Sequence, residues 1–479
     1  MAGLLAFCGL LTSCIEDGIT TSPSAQPKFS VDTLDLGDLF TLGPSPTARF
    51  VVYNHNDKGI NLSSIRFSDN PDNIFRLNVD GLSGRDFSNI EIRAKDSIFV
   101  FVEATLPENG KDVPVECMAH LQFVVNGVTT ELPVRASGRD VTRLRGDYRI
   151  TSDTRFSATK PYQVFDSIVV DPGCTLSLPA GTELFFHDKA RMVIHGTLFV
   201  DGTAEKPVTM TGDRTGNVAA QIPYEVMSGQ WGGLYFTDTS RGNRITHASI
   251  RNSEYGILLD NVPYDDATPS LAIDNSVVRN TKGFVLEAVN SSVRAVGCEL
   301  SEASSGLVYL YGGRHLFNHC TFANYYLFSA AGPAVNLEHT GVNAMYDEDK
   351  ESPLLSAEFT NCILYGNGTE VAHYIPQVNE GMKVESSIEG ADVVFRRCLF
   401  KAAGEDDSQF ISCIWDEDPL YYTVREDYLF DYRLREGSPA IGAADPSLTL
   451  PEASAADLLG VRRPTPPSLG AYEPIPAQD

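Results

Sequence analysis

Six segments of the chain share one pattern of apolar and polar positions. When they are aligned, one position of this common frame holds a small residue or a cysteine: Ala248, Ser276, Cys298, Cys320, Cys362 and Cys398. Two residues later every segment has an apolar residue: Ile250, Val278, Leu300, Phe322, Leu364 and Phe400. Three residues before the frame position the same holds: Ile245, Ile273, Ala295, Phe317, Phe359 and Phe395. Such a repeat predicts a solenoid, in which each turn buries its apolar side chains only against its neighbours.

Successive frame positions are 28, 22, 22, 42 and 36 residues apart. About 22 residues make one turn of a parallel β-solenoid, so the longer steps are turns with inserted loops. The residue just before each frame position is polar or small, which predicts that it points outward between inward apolar positions. These residues are His247, Asn275, Gly297, His319, Asn361 and Arg397. Four residues after the frame position, Asn252, Asn280 and Asn324 suit a left-handed turn, and Glu302 takes their place in its own segment.

The pattern extends to both sides of these segments. Between Ser167 and Thr211, short β-rich runs alternate with single glycines, as expected for tight solenoid turns. We therefore predict a parallel β-helix over residues 145–402. Residues 403–479 are predicted to form a capping segment over the last turn, because an open end would expose strand edges.

Residues 29–140 show a different pattern. Alternating runs such as Ala48–Tyr53, Ser97–Val102 and Ala119–Val125 predict strands, and Asn126-Gly127 is a hairpin signal. The stretch predicts an immunoglobulin-like β-sandwich of about 110 residues that serves as a spacer. The whole chain is thus expected to be all-β.

The amino terminus has the features of a targeting signal. An apolar run from Leu4 to Leu11 is too short to span a bilayer. It ends in Leu11-Thr12-Ser13-Cys14, which resembles the lipobox of bacterial lipoproteins. This resemblance implies a signal peptide over residues 1–13 and lipidation of Cys14, although no Lys or Arg precedes the run as an export signal should have. Residues 14–28 are rich in Ser, Thr, Pro and Gln and predict a flexible tether.

The composition of the chain argues against nucleic-acid partners and supplies the candidate metal ligands. The chain has 63 acidic and 37 basic residues, a net charge of −26. This charge repels phosphate backbones, so we expect no nucleic-acid binding. Nine cysteines include no C-x-x-C pair, and those of the repeat form either a metal or redox cluster or a stack of small buried side chains. Four acidic clusters are either solvated loops, a calcium site or paired acids for glycoside hydrolysis: Asp265-Asp266, Asp347-Glu348-Asp349, Glu405-Asp406-Asp407 and Asp416-Glu417-Asp418. We expect no cofactor, with calcium as the alternative.

Several stretches resemble a known family. They are His195–Gly212, Gln230–Phe236, Asp431–Gly442 and Leu469–Glu473. Together with the lipobox, they resemble Bacteroidetes cell-surface lipoproteins with right-handed parallel β-helix repeats, and Glu16 and Asp17 resemble the surface-export signal of that phylum. The resemblance implies a right-handed coil, a lipid anchor in the outer membrane and exposure at the cell surface. It implies no reaction, because the activity of this family is largely unassigned.

The sequence shows no H-E-x-x-H, phosphate-binding glycine loop or Gly-x-Ser-x-Gly motif, so catalytic residues stay unknown. Trp231, Tyr235, Tyr309 and Tyr311 are the candidates for stacking on sugar rings. The leading hypothesis is a non-catalytic surface lipoprotein that binds glycan or an envelope protein. The alternative is a polysaccharide lyase or glycoside hydrolase that acts on an acidic polysaccharide.

Overall fold

The computed structural model describes residues 18–219, 222–330, 332–338, 353–367, 372–373 and 392–474. Cys14, the predicted signal peptide and the cluster Asp347-Glu348-Asp349 lie outside the described residues. The chain divides into two compact units between Asp140 and Val141. In the described residues, strands are accompanied by one α-helix, Pro451–Ser454, and by 3-10 turns at Pro71–Asn73, Tyr224–Val226, Glu426–Tyr428 and Pro446–Leu448. Searching these residues finds no helix with the length and apolar character needed to cross a membrane.

The first unit contains two β-sheets that share one hydrophobic core. The first sheet has, in spatial order, the strands Lys28–Phe29, Ala48–Tyr53, Ser97–Ala104, Phe75–Val79 and Leu82–Gly84. The second has Leu34–Phe40, Val128–Arg139, Val115–Val125, Ile60–Phe67 and Asp86–Phe87, with Ile90–Ile92 also paired to Ile60–Phe67. The predicted hairpin is confirmed, because Val125 pairs with Val128 and both Asn126 and Gly127 have positive φ.

Residues 18–28 of the predicted tether lie against this unit. Ala25 is buried in its core, and Asn126 Nδ2 donates to the Ser22 carbonyl at 2.9 Å. Gln26 Nε2 donates to the Val125 carbonyl at 3.3 Å. This part of the Ser- and Pro-rich stretch is therefore ordered by contacts that composition alone does not predict.

The second unit contains three long parallel sheets, here named sheets I, II and III. In its described residues, sheet I consists of Thr142–Leu144, Tyr162–Val164, Glu183–Phe186, Val208–Gly212, Ala248–Arg251, Val277–Thr281, Glu299–Ala303, Thr321–Asn324, Ile363–Gly366, Leu399–Phe400 and Ile414–Trp415. Sheet II consists of Tyr148–Ile150, Ser167–Val170, Arg191–Ile194, Gly233–Phe236, Ile257–Asp260, Leu286–Val289, Val308–Tyr311, Val335–Glu338 and Ala372–His373. Sheet III consists of Thr154–Arg155, Thr175–Pro179, Thr197–Asp201, Asn243–Thr246, Leu271–Asp274, Ser292–Val296, Gly313–Asn318, Leu354–Thr360, Asp392–Arg396 and Phe410–Ile411. Two hairpins complete the unit, Asn217–Ala219 with Ile222–Pro223 and Tyr421–Val424 with Phe430–Leu434.

The chain visits the three sheets in rotation, and each strand pairs in parallel with the strand of the same sheet one turn earlier. Ile250, Val278, Leu300 and Phe322 stand in direct register in sheet I. All twelve apolar residues that define the repeat are at most 1% exposed, and they belong to one continuous core. The predicted solenoid, called the coil below, is thus confirmed as a stack of parallel strands around a shared interior.

Aromatic rings extend this stacking through the later turns. Phe359 lies between Phe317 and Phe395, with ring centroids 4.9 and 4.6 Å away and interplanar angles of 7° and 10°. Phe410 continues the stack 5.2 Å beyond Phe395. These distances match the spacing of paired strands, about 4.8 Å, so register and ring stacking reinforce one another.

The residues just before the frame positions differ from the prediction. His247, Asn275, His319, Asn361 and Arg397 have φ between 45° and 56°, and Gly297 has φ of 65°. Each is a single left-handed residue at the corner between sheets III and I, not an outward strand position, and His319 and Asn361 are fully buried. The predicted left-handed turn four residues after the frame position is confirmed at Asn252 and Asn280, and Glu302 shares it with φ of 58°. At Asn324 the prediction is wrong, because its φ is not positive.

The four cysteines at the frame position form a column of buried free thiols: Cys298, Cys320, Cys362 and Cys398. Each thiol donates to a backbone carbonyl, as in Cys298 to Ile273 at 3.4 Å and Cys398 to Phe359 at 3.4 Å. Burial raises the pKa of Cys298, Cys320 and Cys362 well above its ordinary value, so these thiols stay protonated. A protonated, hydrogen-bonded thiol is a poor metal ligand or nucleophile, which favours the structural interpretation of this column.

The first part of the predicted closing segment continues the end of the coil, because Phe410–Ile411 and Ile414–Trp415 are the last strands of sheets III and I. The part from Tyr421 onward lies along the side of the coil. Tyr432, Leu434, Leu469 and Tyr472 form a second core with outward residues of sheet I such as Ile363. Backbone and side-chain bonds run along the same side, including Ala471 N to Thr321 Oγ1 at 2.9 Å and Asn318 Nδ2 to the Leu448 carbonyl at 2.8 Å. The segment therefore covers the outer face of sheet I across several turns.

Replacing Phe359 by Ala should destabilise the second unit by about 3–5 kcal/mol, because it removes the middle ring of a buried stack. Both tryptophans of the chain, Trp231 and Trp415, belong to this unit, so tryptophan fluorescence during denaturant unfolding reports its stability. Phe199→Ala is the matched control, since Phe199 lies in the same sheet but is 43% exposed; its cost should stay near 0.5 kcal/mol, about that of a surface change. Equal costs for the two variants would contradict the shared interior.

Candidate functional site

The four predicted glycan contacts fall into two groups. Tyr235, Tyr309 and Tyr311 lie on strands of sheet II, where they alternate with buried apolar residues. Trp231 is 1% exposed, stacks on Phe186 at 4.2 Å and donates from Nε1 to the Arg251 carbonyl at 2.7 Å. Tyr311 is also buried. For Trp231 and Tyr311 the burial corrects the expectation of a sugar contact, because neither ring offers a free surface.

Tyr235 and Tyr309 are half-buried, and each hydroxyl is engaged. Tyr235 donates to Asp260 Oδ2 and Tyr309 to Glu338 Oε2, both at 2.9 Å. Burial and the partner carboxylate raise the pKa of Tyr235 to about 12. Burial and the charges of Glu338 and Glu287 raise the pKa of Tyr309 further. Both phenols therefore stay neutral and donate hydrogen bonds to fixed partners. Only their ring faces are left to contact a ligand.

An open groove lies where the chain passes from sheet I to sheet II. It has a volume of about 830 Å³ and includes five aromatic residues: Tyr255, Phe284, Tyr309, Tyr326 and Phe328. Phe284 stacks on Tyr309 with centroids 5.2 Å apart, whereas Tyr255 and Phe328 are 42% and 54% exposed. We call it the aromatic groove; exposed rings around a concavity of this size are typical of a ligand site.

The coil positions these rings through its backbone. Tyr255 and Phe284 precede corresponding strands of sheet II on successive turns. A hydrogen bond from Gly256 N to the Phe284 carbonyl, at 3.1 Å, joins the two turns at this point. At Gly283 a Cβ would come within 2.5 Å of the Tyr255 ring, so only glycine allows the ring to lie there. The rings are thus attached to a hydrogen-bonded corner of the coil.

Charged groups also line the aromatic groove. Lys282 Nζ and Glu254 Oε2 are 3.5 Å apart and exposed, so the pair contributes little stability. Glu287 is buried beside Tyr309, its direct register partner on the next turn. The groove therefore offers ring faces together with carboxylate and ammonium groups, the combination that recognises hydroxyl-rich ligands.

Sequence reasoning found Tyr309 but missed Tyr255, Phe284 and Phe328. A signal was present for the first two, since aligning the second strands of each turn places both just ahead of an apolar run. No periodic signal marks Phe328, which lies outside the strands.

The acidic clusters within the described ranges bind their own backbone. Asp265 Oδ1 accepts from Ala267 N and Thr268 N, each at 2.8 Å, and Asp418 accepts from Leu420 N at 2.8 Å. Asp406 accepts from Ser412 N at 2.7 Å and Cys413 N at 3.0 Å. No group of three His, Cys, Asp or Glu suited to a metal ion occurs among the residues that the structure describes. These carboxylates shape loops, as the solvated-loop interpretation requires.

A second, smaller cavity borders the outer face of sheet I. It has a volume of about 130 Å³ and is lined by Arg251, Arg279, Glu302 and Tyr326, with the hairpin residues Asp427–Phe430 on its other side. We call it the acid pocket. Tyr326 also lines the aromatic groove, so the two cavities are neighbours.

Glu302 is the unusual residue of the acid pocket. It is 2% exposed, and its Oε1 accepts from the Tyr432 hydroxyl and from Tyr325 N. Within the described residues its Oε2 has no hydrogen-bond partner. Burial raises the pKa of Glu302 to about 8, against the hydrogen bond from Tyr432. The charged and titratable groups around it are Glu299, Arg279, Arg251, Glu225, Tyr325, Tyr432 and Asp427.

The first unit has a cavity of its own, of about 920 Å³, which includes Phe75, Arg76, Phe101 and Glu103. Arg76 and Glu103 form an exposed ion pair across 3.6 Å. No residue that the sequence singled out lies there, so this surface adds no evidence on function.

Neither a protein-family model nor a curated protein matches the chain. Among solved structures, a family 123 glycoside hydrolase from Clostridium perfringens, described in connection with glycolipid glycan hydrolysis, matches 24% of this chain with 9% identity and a TM-score of 0.17. The match spans only 26% of that enzyme's chain. A likeness of this extent carries no argument about function.

Replacing Glu302 by Gln should change how stability depends on pH. The unfolded chain loses this proton near its ordinary pKa of 4.5, whereas the folded chain keeps it to about pH 8. Folding therefore takes up a proton in this window, and stability falls as pH rises through it, by up to about 1.4 kcal/mol per unit. Glu302→Gln lacks this proton, so its stability relative to the parent should rise from about pH 5 to about pH 8.

Tryptophan fluorescence during urea unfolding checks this, with Glu405→Gln, a change at an exposed loop carboxyl, as control. A constant difference between Glu302→Gln and the parent chain across the window would show that Glu302 ionises normally.

Proposed function

We propose that the chain is a lipoprotein anchored through Cys14 in the outer membrane, where it presents a glycan-binding coil at the cell surface. In this proposal residues 1–13 are removed on export. The first unit is an immunoglobulin-like sandwich that serves as a spacer, and the second is a right-handed parallel β-helix of the Bacteroidetes lipoprotein type. The lipobox-like stretch before Cys14 supports the anchor, and the parallel sheets support the coil.

The observation that carries glycan binding is the aromatic groove. Five rings line one concavity, and two of them, Tyr255 and Phe328, are about half exposed. Sugar rings present CH-rich faces that pack on aromatic rings, and their hydroxyls bond to neighbouring charged groups such as Lys282 and Glu254. A volume of 830 Å³ lies within the range of small-molecule sites, about 300–1,000 Å³.

The alternative is an enzyme on the same scaffold, a lyase or glycoside hydrolase acting on an acidic polysaccharide. One feature favours keeping it: Glu254 and Glu287 both line the aromatic groove, and glycoside hydrolysis uses a pair of carboxylates. Glu254 faces Lys282, however, which suits recognition of hydroxyl groups as well as catalysis. The test is incubation with a panel of uronic-acid polysaccharides. Release of reducing ends, or of unsaturated products that absorb in the ultraviolet, would show that the protein is an enzyme and not only a binding protein.

Substituting groove aromatics should weaken glycan binding. A glycan array with the Cys14→Ser chain identifies a ligand, and titration calorimetry then compares variants. Tyr255→Ala and Phe328→Ala should each reduce affinity about tenfold, because each removes an exposed stacking surface. Tyr422→Ala is the matched control, since Tyr422 is 53% exposed but lies on the closing hairpin. Equal affinity of all four proteins would place the glycan elsewhere.

Cys14→Ser should release the protein from the membrane fraction, because stable anchoring of this chain is assigned to the acyl chains on Cys14. Fractionation with metabolic labelling by a fatty-acid analogue measures both effects, and protease treatment of intact cells tests surface exposure. Serine substitution at Cys8, which precedes the predicted cleavage site, is the control and should leave labelling unchanged. A labelled, membrane-bound Cys14→Ser protein would contradict the anchor.

A further inference from the structure

The acid pocket contains hydrogen-bond donors that lack acceptors. Because Oε1 of Glu302 accepts two hydrogen bonds, the proton of the neutral acid belongs on Oε2. That oxygen has no partner in the described part of the chain. Since burial raises the pKa of Glu302 to about 8, the acid is protonated at neutral pH. Glu302 thus provides one buried donor with nothing to donate to.

Two partly exposed arginines, Arg251 and Arg279, lie next to Glu302 in the same pocket. Arg251 and Arg279 are direct register partners on adjacent turns of sheet I, and both follow buried inward residues, Ile250 and Val278. Within the described residues, Arg251 Nε is buried without an acceptor. Arg279, whose side chain is 28% exposed, forms an ion pair with Glu299 across 3.8 Å, a distance beyond hydrogen-bond reach. Like charges on paired strands repel, so an anion between the two arginines would be favoured.

Glu299 does not fill this role for both arginines. Its Oε1 accepts from Ser301 Oγ at 2.6 Å and its Oε2 from the Tyr472 hydroxyl at 2.5 Å. Glu225 and Asp427 also line the acid pocket, but both are exposed, so water screens their charge. Two buried groups of the pocket, Arg251 Nε and the protonated Oε2 of Glu302, therefore have no acceptor among the described residues.

We propose that the acid pocket binds a single oxyanion group, a sulfate, phosphate or carboxylate, held by Arg251, Arg279 and Glu302. Guanidinium groups form the strongest hydrogen bonds to such groups, and a protonated carboxyl adds a third donor. The volume of 130 Å³ corresponds to about four water molecules, which fits one oxyanion group and falls below the size of saccharide sites.

Two sources share this chemistry: a free inorganic ion, and an anionic substituent on a glycan in the aromatic groove, which the pocket adjoins at Tyr326. The inference for the oxyanion itself does not rest on glycan binding, because it follows from the donors of the pocket alone.

Titration calorimetry of the Cys14→Ser chain with sodium sulfate, in sodium chloride of matched ionic strength at neutral pH, tests the proposal. We expect saturable binding that Arg251→Gln and Arg279→Gln each weaken about tenfold or more, since each removes a charged donor. Arg314→Gln is the control, because Arg314 is exposed, pairs with Asp266 at 3.3 Å and lies on sheet III; it should leave binding unchanged. Arg279→Lys, which keeps the charge, replaces Arg279→Gln if circular dichroism shows that the latter fails to fold.

The dependence on pH gives a second readout. Above about pH 8 the parent chain should lose affinity, because Glu302 then carries a negative charge beside the anion. Glu302→Gln keeps a donor at the same place without the charge, so it should bind sulfate equally at neutral and alkaline pH. A merely structural role for Glu302 would not produce this difference.

Paired sugars separate the two sources. If the oxyanion is a glycan substituent, N-acetylglucosamine 6-sulfate should bind more tightly than both sulfate and the unsulfated sugar, and Tyr255→Ala should weaken only the sugar. If the ion is free, sulfate or phosphate binds and the sulfated sugar adds nothing. Absence of saturable binding for every anion, or equal binding by Arg251→Gln and the parent, would overturn the proposal and leave the cavity to water, whatever the outcome for the aromatic groove.

Discussion

The register between successive turns is the constraint on which the second unit depends. A strand of the coil buries its apolar side chains only when the same positions of the neighbouring turns lie directly above and below it. The pairing of Leu300 with Val278 and Phe322, and the stack of Phe359 between two other phenylalanines, satisfy this condition. The buried thiols add a weaker constraint, since each donates to a carbonyl of the preceding turn. A shift by one residue would place every one of these groups on the wrong face, so register and core are a single property.

How much of this could be predicted depends on the kind of signal. The inward positions could be predicted, because their spacing repeats whatever the inserted loops contain. The corners could not be predicted from the sequence. A single left-handed residue such as His247 turns the chain from one sheet to the next, yet in a sequence it looks like one more outward strand position. The aromatic groove was only partly predictable, because Phe328 belongs to no repeat and joins the other rings only through the path of the chain. Trp231 was misjudged for the opposite reason, since a large ring before a strand is equally suited to the interior, where it stacks on Phe186.

On the outer face of sheet I, polar residues in the sequence pattern do not indicate exposure to water. Glu299 and Arg279 alternate with buried core residues and, like Glu302 at its left-handed turn, would face solvent on an uncovered coil. The closing segment covers them and supplies the hydroxyls of Tyr472 and Tyr432 as hydrogen-bond partners. Strands covered on both faces are common in parallel sheets, and their outward charges must be paired or neutralised. Glu302 is neutralised by its raised pKa, which is why one cover produces both a buried core and an unusual acid.

The aromatic groove and the acid pocket both lie beside the turns that leave sheet I, and this location follows from the architecture. The inward side chains of the strands are committed to the core, so side chains that can serve a ligand come from corners, from insertions and from outward strand positions such as Arg279 and Tyr309. Because the core fixes the corners at the strand spacing, residues at corresponding corners, such as Tyr255 and Phe284, are held in a fixed relation before any ligand arrives. Ordering such side chains on binding then costs little conformational entropy, so more of the contact energy remains as affinity. A solenoid therefore produces binding sites by the same repetition that makes it stable: the interior sets the geometry, and the corners and outward strand positions carry the chemistry.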